Sequence, residues 1–108
     1  MLIATEIVTM KTIEGVAKED FIVIVDGLEK DYHLKQPGFI DTELLYNDKT
    51  DEWIMVQHWD SLDNMRATSK NMFNNPVTEP FVASIDPKSV KILMLQQLGV
   101  WNVAGSCT

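Results

Sequence analysis

Apolar residues recur along this chain with two periods, and the switches between them mark out its elements. Residues 2–10, LIATEIVTM, alternate: Leu2, Ala4, Glu6, Val8 and Met10 face one way and Ile3, Thr5, Ile7 and Thr9 the other, which predicts a strand. From Ala17 to about Leu34 the positions Phe21, Ile24, Val25, Leu28 and Tyr32 take helical spacing, and Glu19 and Asp20 sit near the positive end of the helix dipole. Local propensity favours a different answer for part of this stretch. FIVIV is rich in β-branched residues and Asp26-Gly27 resembles a hairpin turn, so residues 21–30 also read as strand, turn, strand. The helical spacing persists to Tyr32, and Pro37-Gly38 supplies a stop, so a helix is expected.

Residues 38–61, GFIDTELLYNDKTDEWIMVQHWDS, read as two strands joined by a polar turn whose far end opens a helix. Asn47 to Asp51 would form a five-residue loop. Pairing Tyr46 with Glu52 then places Phe39, Asp41, Glu43 and Leu45 on one sheet face with Trp53, Met55, Gln57 and Trp59. Ile40, Thr42, Leu44 and Tyr46 join Ile54, Val56 and His58 on the other. A slip of one residue would exchange one strand's two sets.

Ser61 is placed to cap the next helix, with Asp63 in its first turn and Leu62, Met65, Thr68, Ser69 and Met72 along one stripe. Asn74-Asn75-Pro76 ends that helix, and a second helical piece is expected over Val77–Ser84, before Asp86-Pro87. Val90–Leu98 alternates with apolar residues on both faces, which expects a strand inside the sheet or at a subunit contact. The tail, residues 99–108, carries Trp101 with little to bury it and is expected to pack on a partner subunit.

Strand, helix, strand, strand, helix, strand is the ferredoxin-like βαββαβ order. It predicts an α+β fold with a four-stranded antiparallel sheet and helices on one face. The other face would stay bare and apolar, and a homodimer is the expected cover.

The 108 residues, 45% of them hydrophobic, are expected to form one domain with a single core, and any sizeable pocket would borrow from a second subunit. A net charge of −7 repels nucleic acid and anionic lipid, and suits neutral or weakly acidic organic ligands better. No apolar run approaches the roughly 18 residues of a membrane span, and Met1 is followed by no basic segment or signal-like cleavage region, so a soluble cytoplasmic protein is expected. Cys107 is the single cysteine, which rules out an intrachain disulfide; two histidines without H-x-x-x-H spacing argue against a metal site.

Pro37-Gly38-Phe39, followed about twenty residues on by QHWDS at Gln57–Ser61, resembles the antibiotic biosynthesis monooxygenase family of dimeric α+β barrels, over residues 2–98. The resemblance implies a cofactor-independent monooxygenase, or a related small-molecule enzyme, acting on a hydroxylated aromatic or quinol. It places Trp59 on the tryptophan that ends strand three, Gln57 where a glutamate is usual, and Met55 where the polyketide oxygenases carry an asparagine. The alternative is a non-catalytic ligand-binding or interaction module on the same dimeric barrel.

Each candidate site residue has a duller reading beside it. Glu43, grouped with Met55, Gln57 and Trp59, would be a base with its pKa raised by burial; in the other register Asp41 and Glu43 are solvated. Trp59 and Trp53 would stack on an aromatic ligand or fill the core. Arg66 would bind a ligand oxygen at the cavity mouth or pair with Asp63. His58 is expected at the dimer face, and His33 as a dipole partner at the end of the first helix.

Overall fold

The structure, a computed structural model, describes residues 3–103. Its elements are β1 (Ala4–Met10), α1 (Lys18–Asp31), β2 (Phe39–Asn47), β3 (Glu52–Trp59), α2 (Leu62–Met72), α3 (Glu79–Ser84) and β4 (Lys91–Gln96). Short 3-10 turns at His33–Lys35, Pro76–Thr78 and Pro87–Ser89 punctuate the connections. All strand pairs are antiparallel, in the order β2-β3-β1-β4. This is the expected ferredoxin-like α+β sheet, with its helices on one face.

Helix α1 forms despite its β-branched run because Phe21, Val25 and Leu28 fall on one stripe and bury against the sheet, while Ile22 and Val23 face out. Burial of that stripe outweighs a propensity penalty of a few tenths of a kcal/mol per residue, which ~0.7 bounds for ordinary residues. Gly27 lies inside the helix rather than in a hairpin turn. Helix α2 starts where its cap predicts: Ser61 Oγ accepts from the Asn64 N–H at 3.1 Å.

The hairpin register differs from the expected one by a residue. Tyr46 pairs with Trp53 and Asn47 with Glu52, so four residues, 48–51, make the loop. Asn47 drives this. Its side-chain oxygen accepts from Lys49 N–H at 3.0 Å, and its carbonyl accepts from Asp51 N–H at 2.8 Å, with Asp51 at φ 59°. A bulge at Ile40 absorbs the extra residue, so Phe39 still opposes Trp59. Thr42, Leu44 and Tyr46 therefore join the core face, while Asp41, Glu43 and Leu45 lie on the bare face with His58, Val56 and Ile54.

Pro37-Gly38 and the segment leaving β3 meet in space. Gly38 has φ 80°, and its carbonyl accepts from the Asp60 N–H at 2.8 Å. A Cβ at Gly38 would lie 2.1 Å from Asp60 Oδ1, so both the backbone angle and the close approach require glycine. The core has two parts: Phe21, Leu28, Trp53, Met55 and Phe81 in one, Ala4, Trp59 and Met65 in the other. β4 is an edge strand and not interior as one reading expected; every residue in it is exposed.

Candidate functional site

Between the two core parts, one rung of the sheet is polar. Thr42, Gln57 and Glu6 are cross-strand neighbours on the helix-facing side of β2, β3 and β1, and Met94 of β4 completes the row. Glu6 and Gln57 are only 3% and 2% exposed. Burying a carboxyl costs several kcal/mol unless it finds a partner or takes up a proton. Glu6 does find one: the Ser69 hydroxyl, from α2, donates to Oε2 at 2.5 Å. Desolvation still raises the Glu6 pKa above the usual carboxylate value, only partly opposed by the Ser69 bond and the His33 charge.

His33 stands over this rung. It sits just past α1, buried, and its Nδ1–H donates to Glu29 Oε2 at 2.5 Å, one helical turn back. With the Glu29 carboxylate as acceptor, Nδ1 carries a proton; in the neutral ring Nε2 is then an acceptor, and in the protonated ring it is a donor whose charge favours the Glu6 carboxylate. The Gln57 amide nitrogen lies 3.3 Å from Nε2 and donates its other hydrogen to Thr42 Oγ1 at 3.1 Å. Glu29, His33, Gln57 and Thr42 thus form one chain of hydrogen bonds across the layer. Tyr32 donates to the Thr68 carbonyl at 2.6 Å, and burial, then the Glu6 charge, raises its own pKa.

The next rung is apolar: Leu44, Met55, Val8 and Ile92. Together the two rungs wall a cavity of about 50 Å³ between the sheet and the helices, with Glu6, His33, Gln57 and Ser69 on one side and Met55 and Phe81 on the other. Phe73 and Ile92 are its exposed lining residues, so the cavity opens between the end of α2 and β4. A cleft of about 440 Å³ at the hairpin end is roomier, but it is lined by Lys11, Lys18, Tyr46 and Asp51 without any such buried polar group.

This architecture has solved counterparts. The fold is that of antibiotic biosynthesis monooxygenases. A candidate antibiotic biosynthesis monooxygenase from Bordetella bronchiseptica superimposes with a TM-score of 0.74 at 14% identity, covering 91% of this chain and 99% of that one. A second candidate, from Chloroflexus aurantiacus, gives 0.64 at 16% identity, covering 94% and 98%. A cofactor-independent oxygenase from Streptomyces nogalater gives 0.61 at 16% identity, covering 94% and 96%. No protein-family model matches the sequence, and no curated protein matches it.

On this monooxygenase fold the site residues expected from sequence divide. Met55 and Gln57 line the cavity. Trp59 does not; it is fully buried with Ala4 and Met65, and meets Phe39 and His33 edge-on at 5.1 and 6.1 Å between ring centres. Trp53 packs between Phe21 and Tyr46 as core. Glu43 is exposed on the opposite face of the sheet, a correction that follows from the four-residue loop. Arg66 is exposed on α2 and lies outside the cavity lining. His58 is on the bare face as expected, with Nδ1 2.7 Å from Asp41 Oδ1. Sequence reasoning passed over Glu6 and gave His33 a helix-end role. Two signals pointed to them: Glu6 is the lone carboxylate on an apolar strand face, and Glu29 lies four residues before His33 in a helix.

Among the described residues no helix is long and apolar enough to cross a membrane.

Proposed function

We propose that the protein is a small-molecule enzyme of the cofactor-independent oxygenase kind, binding a hydroxylated aromatic or quinol between sheet and helices. Glu6 is its base, and it works as a homodimer whose bare sheet faces cover one another. The observation that carries this reading is a buried carboxyl of raised pKa on the polar wall of an otherwise apolar cavity. Glu6 takes the hydroxyl proton, and the electron-rich anion then reduces dioxygen. Dioxygen bonds to a ring carbon of the anion that bears one hydrogen, Glu6 returns its proton to the peroxide, and the hydroperoxide loses water together with that hydrogen to leave a carbonyl, so one oxygen atom enters the product and the other leaves as water. A dry apolar wall suits this chemistry because it limits reprotonation and hydrolysis of the intermediate.

The cavity volume of about 50 Å³ favours a second reading, a binding or interaction module whose cavity is filled by side chains. Benzene occupies engineered cavities of about 150 Å³, so a ring enters here only when Met72 and Phe73, at the open side, swing away. The deciding measurement follows tryptophan fluorescence and oxygen uptake with a panel of hydroquinones and anthrones, in wild type, Glu6→Gln and Glu43→Gln. Uptake that falls at least tenfold in Glu6→Gln and is unchanged in Glu43→Gln is expected. Quenching without uptake moves the protein to the second reading, and neither signal across the panel removes the substrate class.

A further inference from the structure

We propose that His33, held by Glu29, is the general acid of the Glu6 cavity: the proton on its Nε2 goes to the oxygen that leaves when the hydroperoxide breaks down. This role rests on the oxygenase reading and adds to it a second proton-handling group, one that Glu6 alone does not supply.

Breakdown moves protons at two different atoms. Glu6, ionised again once its proton is on the peroxide, takes the carbon-bound hydrogen as a proton. The C–H electron pair becomes the second bond of the carbonyl, the O–O bond breaks, and the distal oxygen departs with that bond's electrons. Unaided it would depart as hydroxide, a costly charge beside an apolar wall. The proton from His33 makes it water. The proton now on Glu6 restores His33, so none is gained or lost over the cycle.

Among the described residues that line the cavity, only Glu6 and His33 titrate. The His33 ring is fixed in place: it stacks on Phe39 at 5.7 Å between centres and meets Tyr32 and Trp59 edge-on at 5.2 and 6.1 Å. Glu29 takes Nδ1, so Nε2 is the nitrogen left for exchange. A buried carboxylate that orients an imidazole in this way also stabilises its charged form. Glu29 from α1 and Glu6 from β1 are the charged groups facing the ring, with the Tyr32 phenol beside it; β2 and β3 offer it the neutral Phe39, Gln57 and Trp59.

Cohesion does not account for the pair. The His33 and Glu29 side chains are 4% and 16% exposed, and Glu29 Oε1 is buried without a partner. A buried ion pair adds little net stability, and an unpartnered oxygen subtracts from it. A histidine serving only the end of α1 meets the helix dipole equally well from the surface. The hydrogen-bond chain, moreover, accepts both states of the ring. With His33 neutral, Nε2 accepts from the Gln57 amide; with His33 charged, a half-turn of that amide presents its oxygen to Nε2–H, and the Thr42 hydroxyl changes from acceptor to donor. Nε2 is therefore paired before and after it gives up its proton.

The test measures carbonyl product, oxygen uptake and peroxide together, with the same hydroquinones and anthrones, in wild type, Glu6→Gln and His33→Gln. In His33→Gln the carbonyl formed per oxygen consumed is expected to fall at least about tenfold, with the missing equivalents recovered as peroxide. A ratio equal to that of wild type overturns the proposal and leaves Glu6 as the base. Loss of uptake as complete as in Glu6→Gln places His33 in the first step and overturns it too. No uptake by wild type removes the oxygenase reading, and this role with it. A second measurement needs neither turnover nor a change at His33: in His58→Gln the remaining imidazole is His33, and its nitrogen NMR shifts report the ring. Across about pH 5 to 9, where imidazoles ordinarily titrate, a neutral ring protonated on Nδ1 that gains its second proton on Nε2 is expected. The preference for Nδ1 should be lost when Glu29→Leu is added. A ring that stays neutral throughout, a neutral ring protonated on Nε2, or a preference that survives Glu29→Leu overturns the proposal.

Discussion

The two faces of the sheet invert the usual distribution of polarity. Toward the helices the chain buries a glutamate, a histidine and a glutamine; away from them it exposes Ile40, Leu45, Leu93 and Leu95. The buried polar groups are nearly all satisfied, Glu6 by Ser69 and Gln57 by Thr42 and His33, while Glu29 Oε1 and Trp59 Nε1 stand without partners. On the proposed reading, burial on the inner face serves chemistry as well as cohesion, and the apolar outer face is the surface the proposed homodimer would cover. Substitutions on the two faces should separate these roles.

The largest effect is expected at Trp59, which is fully buried on the inner face beside the polar rung. Trp59→Ala removes a large packed side chain and leaves a cavity among Ala4, Met65 and Phe39, for a loss of about 3–5 kcal/mol. Urea denaturation measures it. An unchanged midpoint would mean that the inner face is not packed at this end, and the comparison between faces would fail at its strongest point.

A smaller and pH-dependent effect is expected at Glu6. Its folded pKa is raised above the 4.5 of a free glutamate by desolvation, so the folded chain holds this proton more tightly than the unfolded chain does. The associated stability is fully present below about pH 4.5 and is lost as pH rises through the folded value. Glu6→Gln cannot ionise and keeps an oxygen that accepts from Ser69. The variant should match wild type at pH 4 and be the more stable protein at pH 8, by denaturation midpoints at each pH. A gap of the opposite sign at pH 8 would show that Glu6 is stabilised as a carboxylate. Activity should change the other way, with wild-type uptake rising as Glu6 ionises and the variant flat.

What the sequence made legible follows from how far each feature depends on local signals. The element order and α2's cap are set by periodicity and by a single side-chain hydrogen bond, and both were readable. Helix α1 required weighing an extended periodic stripe against local β propensity, and burial of Phe21, Val25 and Leu28 decided it. The hairpin register turned on whether Asn47 belongs to the loop or the strand. That is a difference of one backbone position with almost no sequence signal, yet it moved Glu43 from one face of the sheet to the other. Glu6 was on the correct face in the strand pattern, but its significance depends on Ser69, His33 and Gln57. Three separate elements bring those residues to it, and no local pattern encodes the meeting.

The smallest effect is expected at Glu43, and its smallness is informative. Exposed on β2 opposite Val56, it makes no ion pair among the described residues, and surface changes of this kind stay within about 0.5 kcal/mol. Glu43→Gln should therefore leave both the denaturation midpoint and any oxygen uptake unchanged. The prediction depends on two backbone features, the four-residue loop that pairs Tyr46 with Trp53 and the bulge at Ile40. If either were shifted by one residue, Glu43 would point at the helices beside Met55 and Gln57. Its substitution would then reproduce the pH-dependent stabilisation expected of Glu6→Gln. A null result at Glu43 together with a pH-dependent gain at Glu6 fixes the register in solution and assigns the buried acid to β1; a gain at Glu43 would return the acid to β2 and remove Glu6 as the base.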